Sequence, residues 1–259
     1  MKTLTEHEKG ILENCVNKTF RNIADQEYIS ARLLYKSKLF LQLLWMAAQS
    51  IEKYLKAILI YNEISVTQSN HHEHSDLYKM IIDSIKDIKF DFPDDVINFI
   101  KYLDEQGQNR YFSTPYVIQT NFLTQLDKTV WYIRRYCDNY RKTENGKSIF
   151  KEEIKRIQHQ NLIDHPNQFK LYKGYLEQVM EDEIYEHRKI LIWKNSYYYK
   201  KYRRLNISDD NNEIIEIPPI DIDPDHFDLI SKYIFFPRTI KPHFQKYNGK
   251  KCAPIITPL

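Results

Sequence analysis

Scarcity of glycine is the strongest constraint on what this chain can fold into. Five glycines stand in 259 residues, and seven of the ten prolines lie beyond Ile217. Hairpin turns draw on Gly for positive φ, and Pro interrupts helices, so the first 217 residues hold few turn-makers and few breakers. That pattern predicts long helices rather than many short strands. No two glycines fall close enough together to form a phosphate-cradling loop. Apolar residues at 42% supply a core and charged residues at 28% supply a wet surface, which excludes global disorder and collagen. The formal net charge of +3 is too close to balance to indicate nucleic acid by itself. The cysteines, Cys15, Cys137 and Cys252, are odd in number and far apart, which gives neither a zinc spacing nor a disulfide framework. A reducing, cytoplasmic setting is expected. The run from Leu39 to Ile60 is broken by Gln42, Gln49, Glu52, Lys53 and Lys56 and is not expected to span a membrane. The opening MKTLTEHEKG lacks the apolar stretch of a signal peptide.

Apolar periodicity then places the helices. Ala24, Tyr28, Ala31 and Tyr35 give one face to a helix over Phe20 to Lys36, with a break near Ser37. Phe40, Leu44, Ala47, Ala48, Ile51, Leu55 and Ile58 make a continuous stripe on a second helix. A third starts near Ser75 with Leu77, Ile81, Ile85 and Ile88 inward. The fourth has Pro93 as its first residue and turns Val96, Phe99, Ile100 and Leu103 inward. The fifth runs from about Pro115 to Tyr140, with Cys137 on its apolar stripe and therefore in the core. Arg141 to Gly146 reads as a linker, followed by helices over Ser148 to Gln160 and Asn167 to Arg204. Residues Asp209 to Asp228 hold eight acids, no Lys or Arg, and three prolines, and read as an extended tail packing through Ile214, Ile215, Ile217 and Ile220.

The stretch ARLLYKSKLFLQLLWMAAQSIEKYLKAILIYN, Ala31 to Asn62, resembles the long second helix of the HEPN (higher eukaryotes and prokaryotes nucleotide-binding) family, with Ile51, Glu52, Lys53, Leu55, Lys56 and Ala57 in the pattern. His74, Asp76 and Leu77 supply a His-x-Asp-Leu element, and Arg110 with Tyr111 an Arg-Tyr pair, so the resemblance covers about residues 20 to 140. It implies an all-α chain: an antiparallel HEPN-like helical bundle over residues 1–142, then a helical extension and an extended Pro-rich acidic tail over 143–259. The resemblance also implies a homodimer, with Leu41, Leu43, Trp45, Leu59 and Ile60, off the main stripe, as candidate contacts. Many family members resemble metal-independent RNases in which an Arg is followed, after four to six residues, by a His. Thr114, Pro115, Tyr116 and Val117 stand at those places after Arg110, and Arg156 reaches His159 after only two. RNase activity is therefore not expected.

Binding candidates remain. Lys53 either faces a phosphate or lies on a solvated face beside a Glu52–Lys56 pair, and His74 either caps its helix or faces a cleft. The cluster His71, His72, Glu73, His74 and Asp76 reads as solvated, not as a metal site. RKILIWKNSYYYKKYRR, Arg188 to Arg204, interleaves seven basic side chains with Trp193, Tyr197, Tyr198, Tyr199 and Tyr202, the composition of a single-strand nucleic-acid surface or of a helix with an aromatic core face. The nucleotide- or RNA-binding set is thus Lys53, Arg110, Tyr111, Trp193, Tyr199, Arg203 and Arg204, with no cofactor and no metal. Function reads as a non-hydrolytic RNA- or nucleotide-binding protein, or a toxin–antitoxin or defence component with a nucleotidyltransferase-type partner. An RNase using Arg110 with a displaced base at His74, and a purely structural dimerisation module, stay open as alternatives.

Overall fold

The computed structural model describes residues 4–67, 73–86, 90, 92–106, 115–138, 170–171, 173–198, 214–216, 227–230 and 232–233. The chain opens with α1 (Glu6–Val16), started by Thr5 and Glu8, each of which accepts from the other's backbone N–H. A π-helical turn, Asn17–Arg21, joins it without a break to α2 (Asn22–Lys36), so the first helical stretch reaches further toward the N-terminus than apolar periodicity indicates. Then come α3 (Phe40–Tyr61), α4 (His74–Ser84) and α5 (Asp94–Gln106). Pro93 falls just before α5, and its carbonyl accepts from Val96 and Ile97.

The helix ends show how a Gly-poor chain still turns. After α2, Leu39 N–H bonds to Leu34 O at 3.0 Å and Lys38 N–H to Tyr35 O at 3.1 Å, with Lys38 at φ 58°. The same pattern ends α3, with Glu63 at φ 59°. This is the left-handed helix stop that Gly ordinarily supplies, carried here by charged residues at a conformational cost of about 1 kcal/mol each.

Where one long fifth helix is expected, the structure has β1 (Tyr116–Ile118) and then α6 (Phe122–Arg134). β1 pairs antiparallel with β2 (Ile214–Glu216), Tyr116 opposite Glu216 and Ile118 opposite Ile214. Tyr116 and Ile118 are buried and Val117 is not, the period of two that a strand imposes. The expected helix over Asn167 to Arg204 is likewise interrupted: its described part forms α7 (Tyr175–Glu181), a turn, and α8 (Glu186–Ile192). A last short helix, α9, spans Phe227–Ile230. The linker at Arg141 to Gly146 and the helix over Ser148 to Gln160 lie outside the described residues.

A single apolar cluster runs through the bundle, with Ala24, Tyr28 and Ala31 of α2, the α3 stripe, Leu77 and Ile81 of α4, Val96 and Leu103 of α5, and Phe122, Leu126, Val130 and Ile133 of α6. Cys137 joins it, its Sγ donating to Tyr54 O at 3.4 Å, and burial pushes its thiol pKa well up, so it stays protonated. Leu43 and Leu59, expected to cover a partner subunit, are fully buried within the chain, because α3 is enclosed by α2, α4, α5 and α6 and buries more than one stripe.

Both α7 and α8 pack on α2 through buried ions. Asp25 of α2 accepts from Arg134 Nε at 2.7 Å and Nη2 at 2.9 Å, from Tyr54 Oη at 2.6 Å and from Leu176 N–H at 3.3 Å. Arg134 also donates to both oxygens of Glu177 on α7, at 2.8 and 2.6 Å. A Cβ on Gly174 would stand 1.9 Å from Glu177 Oε2 and 2.7 Å from Arg134 Nη2, so this close approach requires glycine there. Breaking a buried pair strands its partners, so Arg134→Met is expected to cost about 3–5 kcal/mol in urea denaturation. Removing the neighbouring Arg32–Asp127 pair together, as Arg32→Met with Asp127→Leu, should cost far less; equal losses would refute this reading of the buried ions.

Candidate nucleic-acid interface

Of the residues expected to bind, Arg110, Tyr111, Tyr199, Arg203 and Arg204 lie outside the described residues. Lys53, His74 and Trp193 are described, and they stand at separate places on the bundle, each with partners of its own. Lys53 Nζ donates to Glu27 Oε1 and Oε2 at 2.7 and 2.9 Å and to Gln49 Oε1 at 3.2 Å. Its charge is matched across α2 and α3. Burial pushes the Glu27 carboxyl up, against the pull of Lys53. The expected Glu52–Lys56 pair is present at 2.5 Å.

His74 stands at the first position of α4 and is buried. Its Nε2 donates to Ala48 O on α3 at 2.8 Å, and its Nδ1 pairs with Asp104 on α5. Neither ring nitrogen is left for a substrate. Asp104 also accepts from His74 N–H and from Ser75 N–H at 2.9 Å, satisfying the open donors that begin α4. Glu73, at the local cap position, makes no side-chain cap bond. The cap is supplied by another helix, which sequence spacing alone does not show.

Burial raises the Asp104 carboxyl, but bonds from His74 and Ser75 outweigh it and hold the pKa below the usual 3.8. A carboxylate lowered on folding stabilises fully above its unfolded pKa, and that contribution is lost as pH falls through the folded value. Asp104→Asn should therefore cost about 1 kcal/mol at neutral pH. It should also flatten the loss of stability on acidification below about pH 4. Thermal melts across pH test this; an acid limb unchanged in Asp104→Asn would refute it.

Trp193 follows α8 and lies half-buried against the end of α2. Arg32, fully buried on α2, is held by Asp127 of α6 and donates to Trp193 O, while its Nε donates to Ile190 O at 3.1 Å. One turn further along α2, Lys36 Nζ lies 5.4 Å from the Trp193 ring centroid, and Lys194 Nζ lies at the same distance. Such exposed cation–π contacts are worth about 0.5–1 kcal/mol and exchange readily. Asn195 is buried: its Nδ2 donates to Tyr28 Oη at 2.8 Å, and its Oδ1 accepts from Tyr197 N–H at 3.0 Å and Tyr198 N–H at 3.2 Å.

The rest of the described basic–aromatic segment is occupied. Tyr197 packs on Trp131 and Tyr198 on Tyr28, at 5.9 and 6.2 Å between centroids. Arg188 Nε donates to Met180 O, and Lys189 pairs with Glu186 at 2.7 Å. The composition of this segment points to Trp193 but not to Arg32 or Lys36, which lie far from it in the chain, and gives Lys194 no special standing. The i, i+4, i+8 spacing of Tyr28, Arg32 and Lys36 is the available signal, a stripe running along α2 from core to surface. Among the described residues no three His, Cys, Asp or Glu side chains converge as a metal site, and no helix is long and apolar enough to cross a membrane.

Residues 18–129 match the family model of the HEPN domain. No curated protein and no solved structure matches the chain.

Proposed function

From the match of residues 18–129 to the model of the HEPN domain, we propose that this chain is a non-hydrolytic RNA- or nucleotide-binding protein of a toxin–antitoxin or defence system, acting with a nucleotidyltransferase-type partner. HEPN domains belong to a nucleotide-binding, RNase-like or defence-associated family. The observation that carries the non-hydrolytic reading is His74. RNA cleavage without metal needs a base within reach of the 2′-hydroxyl, no Arg within residues 18–129 has a His after four to six residues, the spacing of Arg238 and His243 falling far beyond that match, and both His74 nitrogens are engaged inside the bundle. Lys53, Arg110, Tyr111, Trp193, Tyr199, Arg203 and Arg204 are the proposed contacts with the ligand.

Two measurements test this. Metal-free protein incubated with mixed-sequence RNA should leave it intact while binding it with an affinity that falls as salt rises. Cleavage that His74→Ala or Arg110→Ala abolishes would overturn the non-hydrolytic reading and install the RNase with a displaced base. Absence of binding at low salt, with no cleavage, would leave the structural module.

A homodimer is part of the same proposal. Leu33, Leu39 and Trp45, at 47, 50 and 39% exposure, put apolar surface at and beside the turn between α2 and α3, and HEPN domains often dimerise. Light scattering is expected to give twice 31.4 kDa; the monomer mass at micromolar concentration would refute it.

A further inference from the structure

We infer that Trp193, with Lys36 and Lys194 beside it, is a stacking platform for one base of single-stranded RNA, and that Arg32 is the positioning residue that sets the platform in place. This rests on the RNA-binding reading above and gives it a site where Trp193 and Lys194, beyond the HEPN-matched residues, meet Lys36 within them.

Their place over one indole ring singles out the two lysines. Lys9, Lys53, Lys56, Lys128, Lys170 and Lys189 each pair with a carboxylate. Lys36 and Lys194 are exposed and, like Lys18, Lys38, Lys79 and Lys101, make no ion pair among the described residues, but these two place their ammonium groups over the Trp193 ring. A phosphate offers each ammonium the anion it lacks, and the indole face it then leaves open takes a base. Cations tracking the backbone with an aromatic face for a base is how single strands are held. A duplex keeps its base faces covered by neighbouring pairs, so the platform selects unpaired nucleotides.

The ring is pre-organised from beneath. Arg32 holds the carbonyls of Ile190 and Trp193, Asp127 holds Arg32, and Asn195 is anchored to Tyr28, so main chain on both sides of the ring is tied to α2. Lys194 takes the left-handed conformation at φ 51°, which turns the chain directly after Trp193. Because α2 also carries Lys36, a single helix sets the spacing between ring and cation. Arg32 touches no ligand itself; it acts through the Trp193 main chain.

The test uses the full chain and a labelled single-stranded RNA of mixed sequence, read by fluorescence anisotropy between about 50 and 200 mM salt. Trp193→Ala should weaken binding about tenfold with the salt slope unchanged. Lys36→Ala with Lys194→Ala should reduce the slope by about 1.4 units, at about 0.7 for each single-strand phosphate no longer neutralised. Arg32→Lys keeps a charge beside Asp127 but cannot hold two carbonyls, and should weaken binding several-fold without changing the slope. Where circular dichroism shows Arg32→Lys unfolded, Arg32→Met with Asp127→Leu makes the same test with both buried charges removed.

A wild-type protein that binds the strand while Trp193→Ala and the lysine pair bind equally well overturns this site and leaves the RNA reading standing. Duplex RNA or a free mononucleotide bound as tightly as the strand overturns the stacking platform. Arg32 variants that fold and bind like wild type overturn the positioning role. No binding to the strand at low salt removes the RNA reading and the site together.

Discussion

Two carboxylates sealed from water, Asp25 on α2 and Asp127 on α6, govern how this molecule is put together. A buried carboxylate has to be matched by donors, and the donors are drawn from far along the chain. Asp25 takes Arg134, Tyr54 and the Leu176 N–H; Asp127 takes Arg32 and Tyr28. The two arginines then have donors left over. Arg134 directs the remainder at Glu177, and Arg32 at the carbonyls of Ile190 and Trp193. The C-terminal segment from Lys173 to Tyr198 is therefore held on the bundle by charges that the bundle cannot satisfy alone. Arg21, reaching Cys137 O and Lys173 O at 3.4 and 3.2 Å, adds a third guanidinium to the same seam.

Such a network contributes less to net stability than its bonds suggest, since desolvating the ions offsets much of the attraction. Its effect is on geometry. An apolar patch accepts a neighbouring helix in several registers, whereas a guanidinium fork accepts carbonyls and carboxylates only where its hydrogens point. Trp193 is placed by that fork. His74 shows the same logic elsewhere: a polar side chain inside a helical bundle joins three helices, α3 through Ala48 O, α4 through its own backbone, and α5 through Asp104. The residue that the family pattern marks is thereby a fastener of the bundle, and the ring of the candidate ligand surface, Trp193, lies on a segment that the pattern does not reach.

Helical content is legible wherever apolar residues recur on one face. The inward residues of α5, Val96, Phe99, Ile100 and Leu103, are all buried, and the α3 stripe from Leu44 to Ile58 is buried throughout. Boundaries are less so. The stops after α2 and α3 fall on Lys38 and Glu63, left-handed residues with no glycine to announce them. β1 reads in the sequence as the first turn of a helix because three residues are too few to show a period, and its partner β2 lies almost a hundred positions away. The break between α7 and α8 falls at Asp182 to Tyr185, where the local residues are compatible with helix and the turn is closed by Asp182, whose Oδ1 accepts from Ile184 N–H.

The helical class, the apolar faces of the bundle and the HEPN resemblance of its first half all follow from the sequence, because periodicity and motif spacing are properties of neighbours along the chain. Which polar residues meet is settled only by the tertiary structure. Asp25 and Arg134 are 109 positions apart, Arg32 and Trp193 are 161 apart, and His74 and Asp104 are 30 apart. In the sequence Asp25, Arg32, Asp104 and Arg134 carry nothing that sets them apart from other charged residues. Burial makes the difference, since a side chain that water would satisfy on the surface must find a partner once a second segment covers it. Trp193 is ambiguous between core and surface for the same reason. Composition places it among lysines and tyrosines, and only the packing of Tyr197 and Tyr198 inward, with Lys36 and Lys194 left outside, separates the two.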